Sequence, residues 1–199
     1  MKNLTHLATA VALAAMLPVA AFAQTDFTRY VSLGDSLTAG FDSGSLVSTN
    51  QATSYPALIA RQGGNTDFQQ PLVPEPGIPA QLQLRSLSPL VIAPKDGRGN
   101  PANLFLTRPY NNMAVPGADV ADLVATVTDG GGLHDLILRG QGFTQLQQGL
   151  SLRPTFVTLW IGNNDVLGAA TSGRVIDDVT LTTVAQFEPK FRAAVAAIA

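Results

Sequence analysis

The chain has 199 residues, of which 46% are hydrophobic and 13% charged, a balance that excludes a disordered chain and predicts one globular domain with a substantial core. Its formal net charge of -2, with both signs scattered, leaves no basic stripe for nucleic acid and no polybasic patch for an anionic membrane. A small molecule is the expected partner, and with no cysteine and two distant histidines neither disulfides nor a zinc site is expected.

The amino terminus differs from the rest. Lys2 gives a positive start, residues 7–17 form an apolar run too short to span a bilayer, and Ala21, Phe22 and Ala23 fit a small-x-small cleavage pattern. Residues 1–23 are therefore predicted to be a secretory signal, the mature chain beginning near Gln24 in the periplasm or outside the cell with no stable membrane anchor.

Residues 30–33 form a compact apolar run ending at Gly34, the pattern of a buried parallel strand that delivers the chain into a loop. Ser54 as an N-cap, Pro56 in the first turn and Gly63 as a stop predict a helix between them. Seven prolines then interrupt residues 68–108, which is expected to be an insertion whose short apolar pieces at 90–93 and 104–106 pack as strands over the core. A second strand end is expected before the turn at 112–117, followed by a helix with Val120, Leu123 and Val124 on one face. The run 156–161 is a third strand, feeding directly into Gly162, Asn163, Asn164 and Asp165. A last helix carries Phe191, Val195 and Ile198 on one face, with its start left open by Pro189. In an open parallel sheet the loops at the carboxyl ends of strands share one edge, where such folds bind ligands.

Three of those loops carry candidate chemistry. Ser36, placed after a buried strand and at a helix start, would lie where amide N–H groups favour negative charge. Gly117 lets the backbone approach a substrate without a Cβ, and Asn164 can donate a hydrogen bond without titrating. Asp35 and Asp165 are expected to brace the loops, with Asn112 and Asn163 as turn residues.

Gly34-Asp35-Ser36-Leu37, then Asn112-x-Ala114-x-x-Gly117, then Gly162-x-Asn164-Asp165 resemble the first three sequence blocks of the SGNH (GDSL) hydrolases, in that family's order. The resemblance implies a three-layer, flavodoxin-like α/β fold with helices on both faces of a parallel sheet, here spanning 24–199. It also implies a serine esterase with Ser36 as nucleophile and with the Ser36 amide, the Gly117 amide and the Asn164 side chain around the oxyanion. The family's Asp-x-x-His segment is not found. His6 belongs to the signal and His134, after three glycines, is expected in an exposed loop, so Ser36 would lack its base and the fold would be incomplete at its carboxyl end.

Other hydrolase and nucleotide motifs are missing, since Thr38 stands where a Gly-x-Ser-x-Gly elbow needs its second glycine and no Walker A or dinucleotide pattern occurs. No cofactor is expected. The substrate implied is a small ester or an acylated glycan, and the alternative is a binding module that holds such ligands without turnover.

Overall fold

The computed structural model describes residues 25–199, so the expected signal at 1–23 lies outside the described residues. The first element, β1 (Tyr30–Gly34), is buried at all five positions, as a strand covered on both faces requires. At its end only glycine fits, because a Cβ on Gly34 would lie 2.3 Å from the Trp160 carbonyl oxygen.

A short helix, α1 (Ser36–Ala39), follows at once, capped by Asp35, whose carboxylate accepts from the Leu37 amide at 3.0 Å. The chain then makes a small antiparallel hairpin of β2 (Phe41–Asp42) and β3 (Ser45–Leu46) and passes through α2 (Ser48–Gln51) into α3 (Tyr55–Gln62). The limits of α3 follow the residue chemistry: the Ser54 hydroxyl accepts from the Ala57 amide, and Gly63 is the C-cap.

In the proline-rich segment, β4 (Leu82–Leu87) and β5 (Leu90–Pro94) form an antiparallel hairpin. The strand expected at 90–93 is present, but it does not pack over the core, since Leu87 and Leu90 are 79% and 67% exposed. No strand forms at 104–106. There the Leu106 amide turns back to the Asn103 carbonyl, and the Arg139 guanidinium donates to the Leu104 and Leu106 carbonyls that a neighbouring strand would have used. The start of the segment is pinned to the core by Gln51, which donates to the Pro71 carbonyl and accepts from the Val73 amide, and by an Ile78–Leu46 bridge.

Capping boxes open α4 (Val120–Ala125), with Asp119 and Asp122, and α6 (Gln145–Ser151), with Thr144 and Gln147; α5 (Leu133–Leu138) lies between them. The strand β6 (Phe156–Trp160) pairs parallel with β1, in register from Tyr30 opposite Phe156 to Gly34 opposite Trp160. Residues 111–115 also run parallel to β1: Ser32 donates to the Asn111 carbonyl, and Met113 and Val115 donate to the carbonyls of Ser32 and Gly34. β1 is thus the middle of three parallel segments, of which β1 and β6 make the regular ladder.

Beyond β6 come α7 (Asn164–Ser172) and α8 (Val184–Ile198). Pro189 lies inside α8 and does not begin it, because Thr183 has already taken the Gln186 and Phe187 amides. α6 packs on β1, and α4 packs against both α6 and α8. The described chain is therefore α/β, with one regular parallel pair instead of a full sheet between two helical layers. No helix among the described residues is long and apolar enough to cross a membrane.

One contact stands out at the end of β1. Gln145, 1% exposed on α6, accepts from the Gly34 amide at 3.0 Å and donates at 2.9 Å to the Gly34 carbonyl, which also accepts from the Val115 amide. Gln145→Ala leaves the Gly34 N–H buried without that acceptor and should destabilise the protein by about 1–3 kcal/mol. Urea denaturation reads this directly, and an unchanged midpoint would show that Gly34 does not depend on the clamp.

Candidate active site

The three loops that leave this sheet edge are built from their strand ends. Ser36 stands two residues after Gly34, at the first position of α1 and half-buried. Gly117 stands two residues after Val115, whose amide is bonded to Gly34. Asn164 opens α7, shortly after Trp160, the register partner of Gly34. Gly34 is therefore the common origin of all three.

Side chains then tie the loops to one another. Asp35, fully buried, holds the Leu37 amide with one oxygen and accepts from Asn163 Nδ2 at 2.8 Å with the other, joining the first loop to the third. Asn164 Nδ2 donates to the Ala118 carbonyl at 2.8 Å, joining the third loop to the second and leaving the other amide hydrogen available. Asn112 Nδ2 donates to the Thr38 carbonyl at 2.9 Å, while its Oδ1 accepts from the Ala114 amide, joining the second loop to the first. Each loop is thus bonded to both of the others.

Gly117 is exposed at φ +90°, a conformation that side chains strain to adopt, and an added Cβ would meet nothing within 4 Å. The space over its backbone is open. Asp165, 3% exposed, accepts from the Val120 amide at 3.0 Å through Oδ2, while its buried Oδ1 has no partner among the described residues. Burial pushes this carboxyl above the ordinary aspartate range.

His134 is not in an exposed loop. It lies in the first turn of α5 with its side chain 12% exposed, Nδ1 3.4 Å from Asp129 and Nε2 3.7 Å from Asp122. The cause is Asp129, which accepts from the amides of Gly132, His134 and Asp135 and so winds the glycine turn into a helix start. Among the described residues no imidazole is hydrogen-bonded to Ser36, and His6 lies outside them. Gln145 is the positioning residue that sequence reasoning missed. The Thr144-x-x-Gln147 box locates α6, but nothing in the pattern says which of Gln145, Gln147 and Gln148 faces β1.

These features define an α/β protein whose polar loops gather at the carboxyl edge of parallel strands, the usual ligand edge of such folds. The family model of the GDSL-like Lipase/Acylhydrolase matches residues 30–199, and the chain belongs to that family. With membership comes a lipase/acylhydrolase type of function on small-molecule esters. Neither the curated proteins nor the solved structures contain a match to the chain.

The buried carboxyl generates a pH prediction. Because its folded-state pKa lies above the unfolded value near 3.8, Asp165 contributes stability that is fully present below that value and lost as pH rises through the folded one. Asp165→Asn should remove this contribution, so its melting temperature should fall less than the wild type's between acid and neutral pH. Parallel curves for the two proteins would show that Asp165 is not held up by the fold.

Proposed function

We propose that the protein is an exported serine hydrolase that cleaves carboxylic esters, with Ser36 as nucleophile. The observation that carries this reading is the mutual bonding of the three loops, which keeps Ser36, Gly117 and Asn164 at one edge of β1 and β6. Such loops hold donors in place before charge develops, which is how neutral amides favour a transition state over a bound substrate.

In this mechanism Ser36 Oγ attacks the ester carbonyl carbon and the carbonyl oxygen becomes negative. The Ser36 and Gly117 amides and the free amide hydrogen of Asn164 donate to it. Collapse breaks the ester C–O bond and expels the alcohol, which takes up the proton that Ser36 gave up, and leaves an acyl-serine; water then adds to it, releasing the acid and returning a proton to Ser36 Oγ.

Attack also requires a proton acceptor. His134 lies beside Asp122 and Asp129, at 3.7 and 3.4 Å, and the described residues place no imidazole at Ser36, so alone they should turn esters over only at a residual rate. That same lack of a base favours a second reading, a module that binds acyl or acetylated-glycan ligands without turnover. Retention of all three oxyanion donors supports the enzyme. The domain proposed is 24–199, a three-layer hydrolase fold with a proline-rich insertion at 68–108, and export rests on the signal pattern of 1–23.

The test uses the complete gene product, recovered from the periplasm or medium, where its intact mass should begin at Gln24. Asn164→Ala should lower kcat on p-nitrophenyl acetate by about 10² to 10³ while KM moves much less. An unchanged kcat would take Asn164 out of the site. A wild-type protein that binds esters but shows no Ser36-dependent turnover would decide for the binding module.

A further inference from the structure

The hairpin of β4 and β5 turns its apolar face outward. On β5, Leu90, Ile92 and Pro94 alternate onto one face, and their register partners Leu87, Leu84 and Leu82 share it, because a register shift between Leu84 and Ser86 brings Leu87 back to the side of Leu84. Exposure along β4 on that face rises toward the tip, from 43% at Leu82 through 54% at Leu84 to 79% at Leu87. The opposite face carries Gln83, Ser86 and Ala93, all partly buried, and Val91, which is exposed near the tip. A strand pair that served the fold alone would bury the first face and expose the second.

Charge is kept from the tip. Arg85 is the only charged residue from Leu82 to Pro94, and its guanidinium reaches toward the base, donating to the Pro94 carbonyl at 3.1 Å and lying 3.5 Å from Asp96. The base is fixed by polar bonds: the Leu82 amide donates to the Ser43 carbonyl at 2.8 Å, and Lys95 Nζ donates to Glu75 Oε2 and Gln81 Oε1, each at 2.7 Å. An uncharged apolar end therefore stands on a base that carries both signs of charge.

We propose that this hairpin docks the protein reversibly on a neutral lipid bilayer by inserting its tip among the acyl chains. A contiguous patch of exposed aliphatic side chains marks an interaction surface. Shape and charge define what covers it. A second copy or a folded partner would cover one flat face and leave Val91 and the far side of the tip in water, whereas fluid acyl chains close around every side. A base with both signs of charge suits zwitterionic headgroups better than an anionic surface, which polybasic segments bind. Strands of six and five residues are too short to cross the hydrocarbon core, so the hairpin dips into the interface and does not span it. Arg85 then keeps its guanidinium at headgroup level while its stem lies along the apolar surface, as long cationic side chains do at such boundaries.

The 199 residues contain no cysteine, so Leu87→Cys adds one point to them for an environment-sensitive fluorophore. The complete protein is mixed with phosphatidylcholine vesicles, and binding is read by flotation and by quenching of the label with bromine placed on the acyl chains. Co-flotation, a blue shift of the label on adding lipid and quenching by the brominated chains are expected. In the unlabelled protein, Leu87→Asp with Leu90→Asp should weaken partitioning by about 10²-fold, roughly tenfold for each leucine withdrawn from lipid. Both residues are exposed, so the melting temperature should not move, and Leu87→Met with Leu90→Met should float like the wild type. The proposal is overturned if the protein does not float, or if the aspartate pair floats as well as the wild type. It is equally overturned if the label is already blue-shifted without lipid, which would show that another part of the protein covers the face, or if it shifts with protein concentration alone, which would show that a second copy does. None of these readings involves turnover, so they stand apart from the chemistry at Ser36.

Discussion

The architecture of the site depends on Gly34. Its carbonyl accepts from both Val115 and Gln145, its amide donates to Gln145, it lies opposite Trp160 in the parallel register, and its missing side chain admits the Trp160 carbonyl. Any larger residue would push β6 away from β1 and separate the loop carrying Ser36 from the loop carrying Asn164. Backbone groups buried at such a junction need partners, and here every one is supplied by a group that also locates another element. Local chemistry and tertiary geometry are therefore set together at one residue.

From that junction the polar loops are held to one another by side-chain hydrogen bonds. Asp35 serves both as the cap of α1 and as the acceptor for Asn163, so the turn that presents Ser36 and the turn that presents Asn164 share one carboxylate. Asn164 is oriented by Ala118 in the loop of Gly117. Loops cross-bonded in this way are held rigid, since freeing any member leaves its partner without that hydrogen bond. Rigidity of that sort is what an oxyanion site needs, because donors that must reorganise during the reaction lose much of their value.

Much of this was legible in the residues. The apolar runs at 30–33 and 156–161 announced β1 and β6, and Ser54, Pro56 and Gly63 marked α3, because strand burial and helix capping act on neighbours in sequence. The parallel segment at 111–115 was visible only as a strand end, since its partner Ser32 is distant in the chain. Residues 104–106 have strand-like composition, yet Arg139 takes their carbonyls, and no local pattern reveals such a long-range donor. His134 was misplaced for a similar reason: three glycines suggest an open loop, and only the convergence of their neighbouring amides on Asp129 turns them into the start of α5. The inward turn of Gln145 was equally hidden, because an isolated glutamine on a helix is usually solvated.

The central claim is that Ser36, Gly117 and Asn164 act on one oxygen. The most direct measurement is a crystal structure of the complete protein after reaction with an alkyl phosphonate ester, whose phosphonyl oxygen stands in for the negative oxygen of the tetrahedral intermediate. Phosphorus bonded to Ser36 Oγ, with that oxygen about 2.7–3.1 Å from the Ser36 amide, the Gly117 amide and Asn164 Nδ2, is the predicted result. Phosphorus on another residue, or an oxygen turned to solvent while Asn164 stays bonded to Ala118 alone, would contradict it.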